Sequence, residues 1–261
     1  MNRKVPNIEN KLASAYHQFN RPEYVRPDPL EFLYHYPSLR DREIVGLTAS
    51  CLAYGRVVGI KRSVGAVLDV MEPSPADYLE NASSASLLRD FAGFKHRFAT
   101  GEHLAFMLTG ARNMIRDYGS LYAAFLNGCV SSDLTVIPAL TRFCEKLVQA
   151  GDPGHLIPRP ERGSACKRMH LFLRWMVRKD TVDPGGWDDV SPSKLIVPLD
   201  VHMHRVCTFL GLTSRKAADL KTSMEITAAF GRFVPEDPVR FDFALTRFGI
   251  RGDMSMTEFF S

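Results

Sequence analysis

A lysine and an aspartate 33 positions apart are the chain's best candidates for chemistry. The lysine ends Gly163-Ser-Ala-Cys-Lys167, and the aspartate sits in Pro198-Leu-Asp200-Val-His-Met-His-Arg205-Val206. Lys167 falls in the first turn of a helix predicted to begin near Ser164, with Met169, Phe172, Leu173 and Met176 as its apolar stripe. Lys167, His170, Arg174 and Arg178 lie on the other side. The positive end of the helix, with Arg168 and Arg174 close by, disfavours an ammonium there. Only a neutral amine attacks a sugar carbon or condenses to a Schiff base. Asp200 precedes a helical run and reads as its N-cap, accepting amide protons of the first turn. A cap fixes the carboxylate in place, which also suits a group that stabilises a cation or shuttles a proton.

Each of these residues has a plainer role too: a lysine can solvate a helix start, and an aspartate can do no more than cap. The surroundings add weight to the chemical reading. Gly163 permits a tight turn that lets backbone amides approach an anion. Arg159-Pro-Glu-Arg-Gly163 then reads as a hairpin between two helices, offering amides and arginines to a phosphate. From Leu156 to Val182 there are seven basic residues and two acidic ones, although the whole chain is only +4. Such a cluster suits phosphate binding, though a solvated helix face looks similar. Trp187, in Pro-Gly-Gly-Trp-Asp-Asp, is expected in a loop open to contact with a base, whereas Trp175 is expected in the core. His202 and His204 point to different helix faces and lack a third ligand, so no metal site is expected.

The elements that must position these groups read as almost wholly helical, and the expected class is all-α. Asp28-Pro29 is an N-cap followed by a first-turn proline, and Ser38 with Asp41 has the form of a capping box. Ile44 to Tyr54 is apolar nearly all round and reads as a buried helix. Helical periodicity resumes over Ile60–Met71, and Ser74-Pro75-Ala-Asp77 opens a short helix. Further helices are expected around Phe91–Phe98, Ala105–Tyr118, Leu121–Leu126 and Leu134–Leu147. Asp237-Pro238 should start a helix through Phe248 that Gly249 closes. No strand pair announces itself with a hairpin signal.

A chain of 261 residues suits one globular unit of two helical lobes. Five cysteines without a close pair argue for a reducing compartment and against a short-spaced zinc or iron–sulfur site. No secretion-type leader or run long enough to span a membrane stands out. A cytoplasmic protein with no membrane partner is expected.

Taken together, these residues resemble the helix-hairpin-helix DNA glycosylase superfamily, whose members include endonuclease III. That superfamily carries Gly-x-Gly-x-Lys and a later Val-Asp-x-His-Val-x-Arg-Val leading to Leu-Gly-Leu. Here the matching segments are Gly163-Ser-Ala-Cys-Lys167 and Leu199-Asp200-Val-His202-Met-His-Arg205-Val206, ending Leu210-Gly211-Leu212. Phe243-Ala-Leu-Thr-Arg-Phe-Gly249 is similar to a late helix of those enzymes, and Ile44–Arg56 more weakly to an early buried one. The resemblance covers about residues 156 to 250. Ala165 replaces the second hairpin glycine, and no four-cysteine cluster follows the last helix. The longer lysine-to-aspartate gap looks more like archaeal 8-oxoguanine DNA glycosylases, and the whole chain looks most like a related bacterial family of uncharacterised activity.

The resemblance implies a two-lobed glycosylase-like fold and a DNA repair glycosylase with AP lyase activity. It implies no cofactor. The partner would be double-stranded DNA carrying a damaged, oxidised-type base, bound by a monomer because one flipped base needs one pocket. Lys167 and Asp200 would be catalytic, and Arg162, Gly163, Ser164, Arg168, Arg174 and Arg205 would contact DNA. Tyr54, Arg56, Trp187 and His202 would line the substrate pocket. Two alternatives stay open: a non-catalytic nucleic-acid binder of the same fold, and a helical protein acting on a non-DNA substrate.

Overall fold

A computed structural model describes residues 7–159, 163–251 and 254–260, and is predominantly helical. In chain order the described α-helices begin with α1 Ile8–Phe19, α2 Leu39–Cys51, α3 Val57–Val70, α4 Pro75–Asn81 and α5 Ser84–Asp90. A short ribbon, β1 Lys95–His96 and β2 Ala99–Thr100, follows. Then come α6 Gly101–Tyr118, α7 Leu121–Asn127, α8 Ile137–Leu147, α9 Lys167–Val177, α10 Val201–Phe209, α11 Leu220–Gly231, α12 Asp242–Ile250 and α13 Met256–Phe260. No described helix is long and apolar enough to cross a membrane. The chain divides into two compact units, Pro27–Arg159 and a discontinuous one made of Met1–Arg26 with Pro160–Ser261.

In Pro27–Arg159, α2 is buried at every position from Glu43 to Cys51, as its apolar run requires. Glu43 is buried at the start of that run. Its two carboxylate oxygens accept the Leu121 and Tyr122 amides at 2.9 and 3.1 Å, closing the start of α7. Asp28 caps a 3-10 helix over Pro29–His35, and Ser74 caps α4. The Ser38–Asp41 box does not form. Asp41 reaches across to α4, taking the Ser74 hydroxyl at 2.7 Å and the Ala76 amide at 2.9 Å. A carboxylate that can satisfy two donors on a neighbouring element gains more there than from its own helix start.

The stretch expected as a helix over Phe91–Phe98 instead runs from the C-cap of α5 through a turn into the β1–β2 ribbon, with Lys95 opposite Thr100 and His96 opposite Ala99. The reason lies in side-chain partners beyond the segment. The His96 ring is buried between the Ser63 hydroxyl at 2.9 Å and the Tyr54 carbonyl at 3.0 Å. Thr100, at the end of the ribbon, caps α6 in a reciprocal box with His103.

In the second unit α12 packs against both α1 and α10. Gly249 lies within α12 and does not close it. A Cβ there would come within 2.6 Å of the His202 Cβ, so the glycine is used for close helix approach at the start of α10. Gly211, at φ 71°, follows the last residues of α10 and supplies the left-handed turn that ends that helix.

Candidate active site

Lys167 is the first residue of α9 and Asp200 is the N-cap of α10. Their side chains meet, with Lys167 Nζ 3.5 Å from Asp200 Oδ2. The aspartate divides its two oxygens between tasks. Oδ1 accepts the His202 and Met203 amides, both at 2.9 Å, which fixes the carboxylate on the helix end and leaves Oδ2 toward the amine. Both side chains remain partly exposed, at 29% and 22%, so an incoming molecule has access to the pair.

The turn before Lys167 is held at both ends. Gly163 takes φ 75°, and its carbonyl accepts the Leu220 amide at 3.2 Å at the start of α11. Ser164 Oγ then accepts the Cys166 amide at 3.2 Å. Cys166 occupies the left-handed region at φ 45° and accepts the Met169 and His170 amides through its carbonyl. A second left-handed position thus falls on Cys166, immediately before the lysine, and Ala165 is buried. The hairpin expected over Arg159-Pro-Glu-Arg-Gly163 falls mostly on residues 160–162, which lie outside the described residues. Among the described residues, only 3-10 turns at Val148–Ala150 and Gly154–Leu156 lie between α8 and α9. Pro153 and Pro158 withhold the amide donors an α-helix would need there.

Of the residues expected to contact DNA, Gly163, Ser164 and Arg205 are exposed, and Arg168 is half-buried. Arg162 lies outside the described residues. Arg174 departs from expectation: only 2% of it is exposed, and it cannot reach a phosphate. It pairs with Asp183 at 3.1 Å and with Asp242. Arg178, 3% exposed, pairs with Asp183, Asp180 and Asp237, the last two at 2.9 Å. α9 therefore has no solvated side after its first turn; every residue from Met169 to Val177 is buried. The face opposite the apolar stripe is an ionic core. Asp180 extends it to α1 by accepting Tyr16 Oη and Asn20 Nδ2, each at 3.1 Å.

Burial and these pairings set the charges behind the site. Burial pushes the Asp242 carboxyl up to about 6, against the opposing pull of Arg174, with Asp200 and Asp183 adding to the rise. Burial also raises Asp183. It lowers the His170 ring to about 4, holding it neutral at pH 7.

Trp187 lies in a loop as expected, but is fully buried and unavailable to stack on a base. Its ring meets Phe172 edge-on at 5.2 Å, and its amide bonds the Met176 carbonyl at 2.8 Å. With Gly185 bonding the Trp175 carbonyl at 3.1 Å, the loop satisfies carbonyls at the end of α9, and this draws the indole in. His202 is half-buried on the Gly249 surface of α12, while His204 bonds the Arg215 carbonyl at 2.8 Å. Tyr54 and Arg56 belong to the other unit, where the Tyr54 hydroxyl donates to the His96 carbonyl at 2.9 Å and Arg56 is the exposed N-cap of α3. Among the described residues no cluster of His, Cys, Asp or Glu has the arrangement to hold a metal ion.

Asp183, Asp237 and Asp242 are the partners that sequence reasoning did not single out. Asp183 reads as part of a Val-Asp-Pro-Gly-Gly turn, and Asp237 reads as a helix start. The one available signal was Arg174 and Arg178 spaced by one turn on a helix this apolar, which requires buried counter-charges somewhere.

The chain belongs to the family described as protein of unknown function DUF2400, whose model matches residues 28–251. That span includes Lys167, Asp200 and the whole ionic core except its α1 contacts. No curated protein and no solved structure matches the chain.

Proposed function

We propose that this protein is a DNA glycosylase with AP lyase activity, of the helix-hairpin-helix type that its two motifs resemble. One observation carries the reading: an amine and a carboxylate, far apart in sequence, stand 3.5 Å apart at the starts of two helices and stay partly exposed. In this account Asp200 Oδ2 takes a proton from Lys167, and the freed amine attacks C1′ of a deoxyribose whose base has been flipped from the duplex. The C1′–N glycosidic bond breaks and the base leaves with its electron pair. Ring opening yields an iminium between Nζ and C1′, from which strand cleavage proceeds. Asp200 also faces the cationic character that develops on the sugar. Gly163, Ser164, Arg168 and Arg205 surround the lysine in sequence or near the start of α10 and serve as backbone contacts; Arg174 is withdrawn from that role.

Borohydride trapping tests the proposal, using duplexes with an abasic site or 8-oxoguanine. Wild type should give a covalent complex with at least one duplex; Lys167→Ala should give none, and Asp200→Asn far less. Retained DNA binding with no trapping on either duplex would leave Lys167 as a phosphate contact and favour the non-catalytic binder.

A further inference from the structure

The tip of the β1–β2 ribbon, in Pro27–Arg159, carries an aromatic ring in solvent. Phe98 is 72% exposed, although the ribbon beneath it is firmly held. His96, two residues earlier, is buried and bonded to Ser63 and Tyr54, and Ala99 is fully buried. Between them Arg97 takes φ 55°, the left-handed position that turns the chain and projects Phe98 outward. The ring meets His155 edge-on, with centroids 5.9 Å apart. A single exposed ring is ordinary on a protein surface; what sets this one apart is the charge gathered around it.

The charges around it indicate which partner. The Arg97 guanidinium stands 5.6 Å from the Phe98 ring centre. Its side chain lies over Gly55, where a Cβ would come within 2.8 Å of Arg97 Cδ. Gly55 is followed by exposed Arg56. The two segments concerned, residues 54–62 and 93–100, contain Arg56, Lys61, Arg62, Lys95 and Arg97 and no acidic residue. Lys61 is paired with Glu31 at 2.6 Å. Arg56, Arg62, Lys95 and Arg97 have no ion pair with any described residue.

We infer that this ribbon tip is a nucleic-acid contact: Phe98 stacks on an unpaired base or enters an opened base step, while Arg97 and Arg56 hold the flanking phosphates. Stacking on an exposed ring is available to every base and needs no sequence, and unpaired guanidinium groups are what a polyanion recruits. A single ring beside arginines is a small apolar surface for insertion into a lipid layer, which usually takes a broader apolar face. The inference deepens the proposed glycosylase reading and rests on it for the kind of duplex involved.

The test measures full-chain binding at low salt to a duplex with a non-cleavable abasic analogue, flanked by 2-aminopurine. Wild type should brighten or quench the probe on binding. Phe98→Ala should weaken binding about tenfold and abolish the probe response, while Phe98→Trp restores both. Arg97→Ala should lower the slope of log affinity against log salt by about one. Circular dichroism should be unchanged in all three. Normal DNA binding and probe response in both alanine variants would overturn the ribbon contact alone, leaving Lys167 trapping intact. Absence of any wild-type DNA binding would overturn the glycosylase reading and this inference together. Binding to anionic phospholipid vesicles lost in Phe98→Ala, with DNA binding unaffected, would overturn it in favour of a membrane surface.

Discussion

Lys167 and Arg174 lie on one helix two turns apart, and both face aspartates, yet the two ion pairs do opposite things. Lys167 meets Asp200 at 3.5 Å with both groups still reached by solvent. Arg174 meets Asp183 and Asp242 with nearly all three side chains enclosed. An exposed pair holds its partners loosely and exchanges protons and ligands readily. An enclosed one cannot be entered without breaking the unit that encloses it. Position along α9 therefore separates a candidate reagent from a structural tie.

That difference is sharpest in stability. Arg174→Ala leaves Asp242 without its buried counter-charge and Asp183 with Arg178 alone, and should cost about 3–5 kcal/mol in denaturant unfolding. A loss under about 1 kcal/mol would mean that the ionic core is not closed to water. Arg174→Lys should restore little, since one ammonium cannot serve two carboxylates as a guanidinium fork does.

The charges behind the site set a second contrast, read by pH. The folded His170 ring protonates near 4, below its ordinary 6.5, so only the unfolded chain takes up that proton in between. Its contribution to stability therefore falls as pH drops from 6.5 toward 4. Asp242 acts in the other sense: its folded value, about 6, lies above the ordinary 3.8, so the folded protein holds the proton and gains stability as pH falls through that window. In His170→Leu the His170 contribution is gone while that of Asp242 remains. Relative to wild type, the variant should gain about 1.4 kcal/mol per pH unit on acidification within that range. A pH-independent difference between the two proteins would contradict a neutral buried imidazole.

The cap separates Asp200's two oxygens by function. Asp200→Ala should lose about 1 kcal/mol of stability in thermal melts, whereas Asp200→Asn should keep most of it because asparagine also caps. Both should impair trapping. If the asparagine variant traps like wild type, the carboxylate is a cap and nothing more. The smallest expected effect on folding is that of Lys167→Ala, within about 0.5 kcal/mol of wild type.

The parts of this molecule legible in its sequence are those decided within one or two turns. Asp200, Asp28 and Ser74 cap the helices they precede, and the apolar run of α2 is buried as read. What escaped depends on partners far along the chain. Asp41 left its own helix for α4, and His96 drew a stretch read as helix into a ribbon by bonding Ser63 and Tyr54. Arg174 and Arg178 looked solvated because Asp237 and Asp242, 59 and 68 positions from their partners, carry no local mark of the pairing. Trp187 looked open because its loop gives no sign that it folds back on the end of α9. The Lys167–Asp200 candidate rested on the motif resemblance, and its geometry comes from the starts of two helices.

The most direct test of the central claim is to map the covalent bond itself. Wild-type protein would be trapped with borohydride on abasic-site DNA, digested with protease and nuclease, and the modified peptide sequenced by mass spectrometry. The account predicts a sugar remnant on Lys167. A remnant on another lysine or on the N-terminal amine, with Lys167 unmodified, would contradict it.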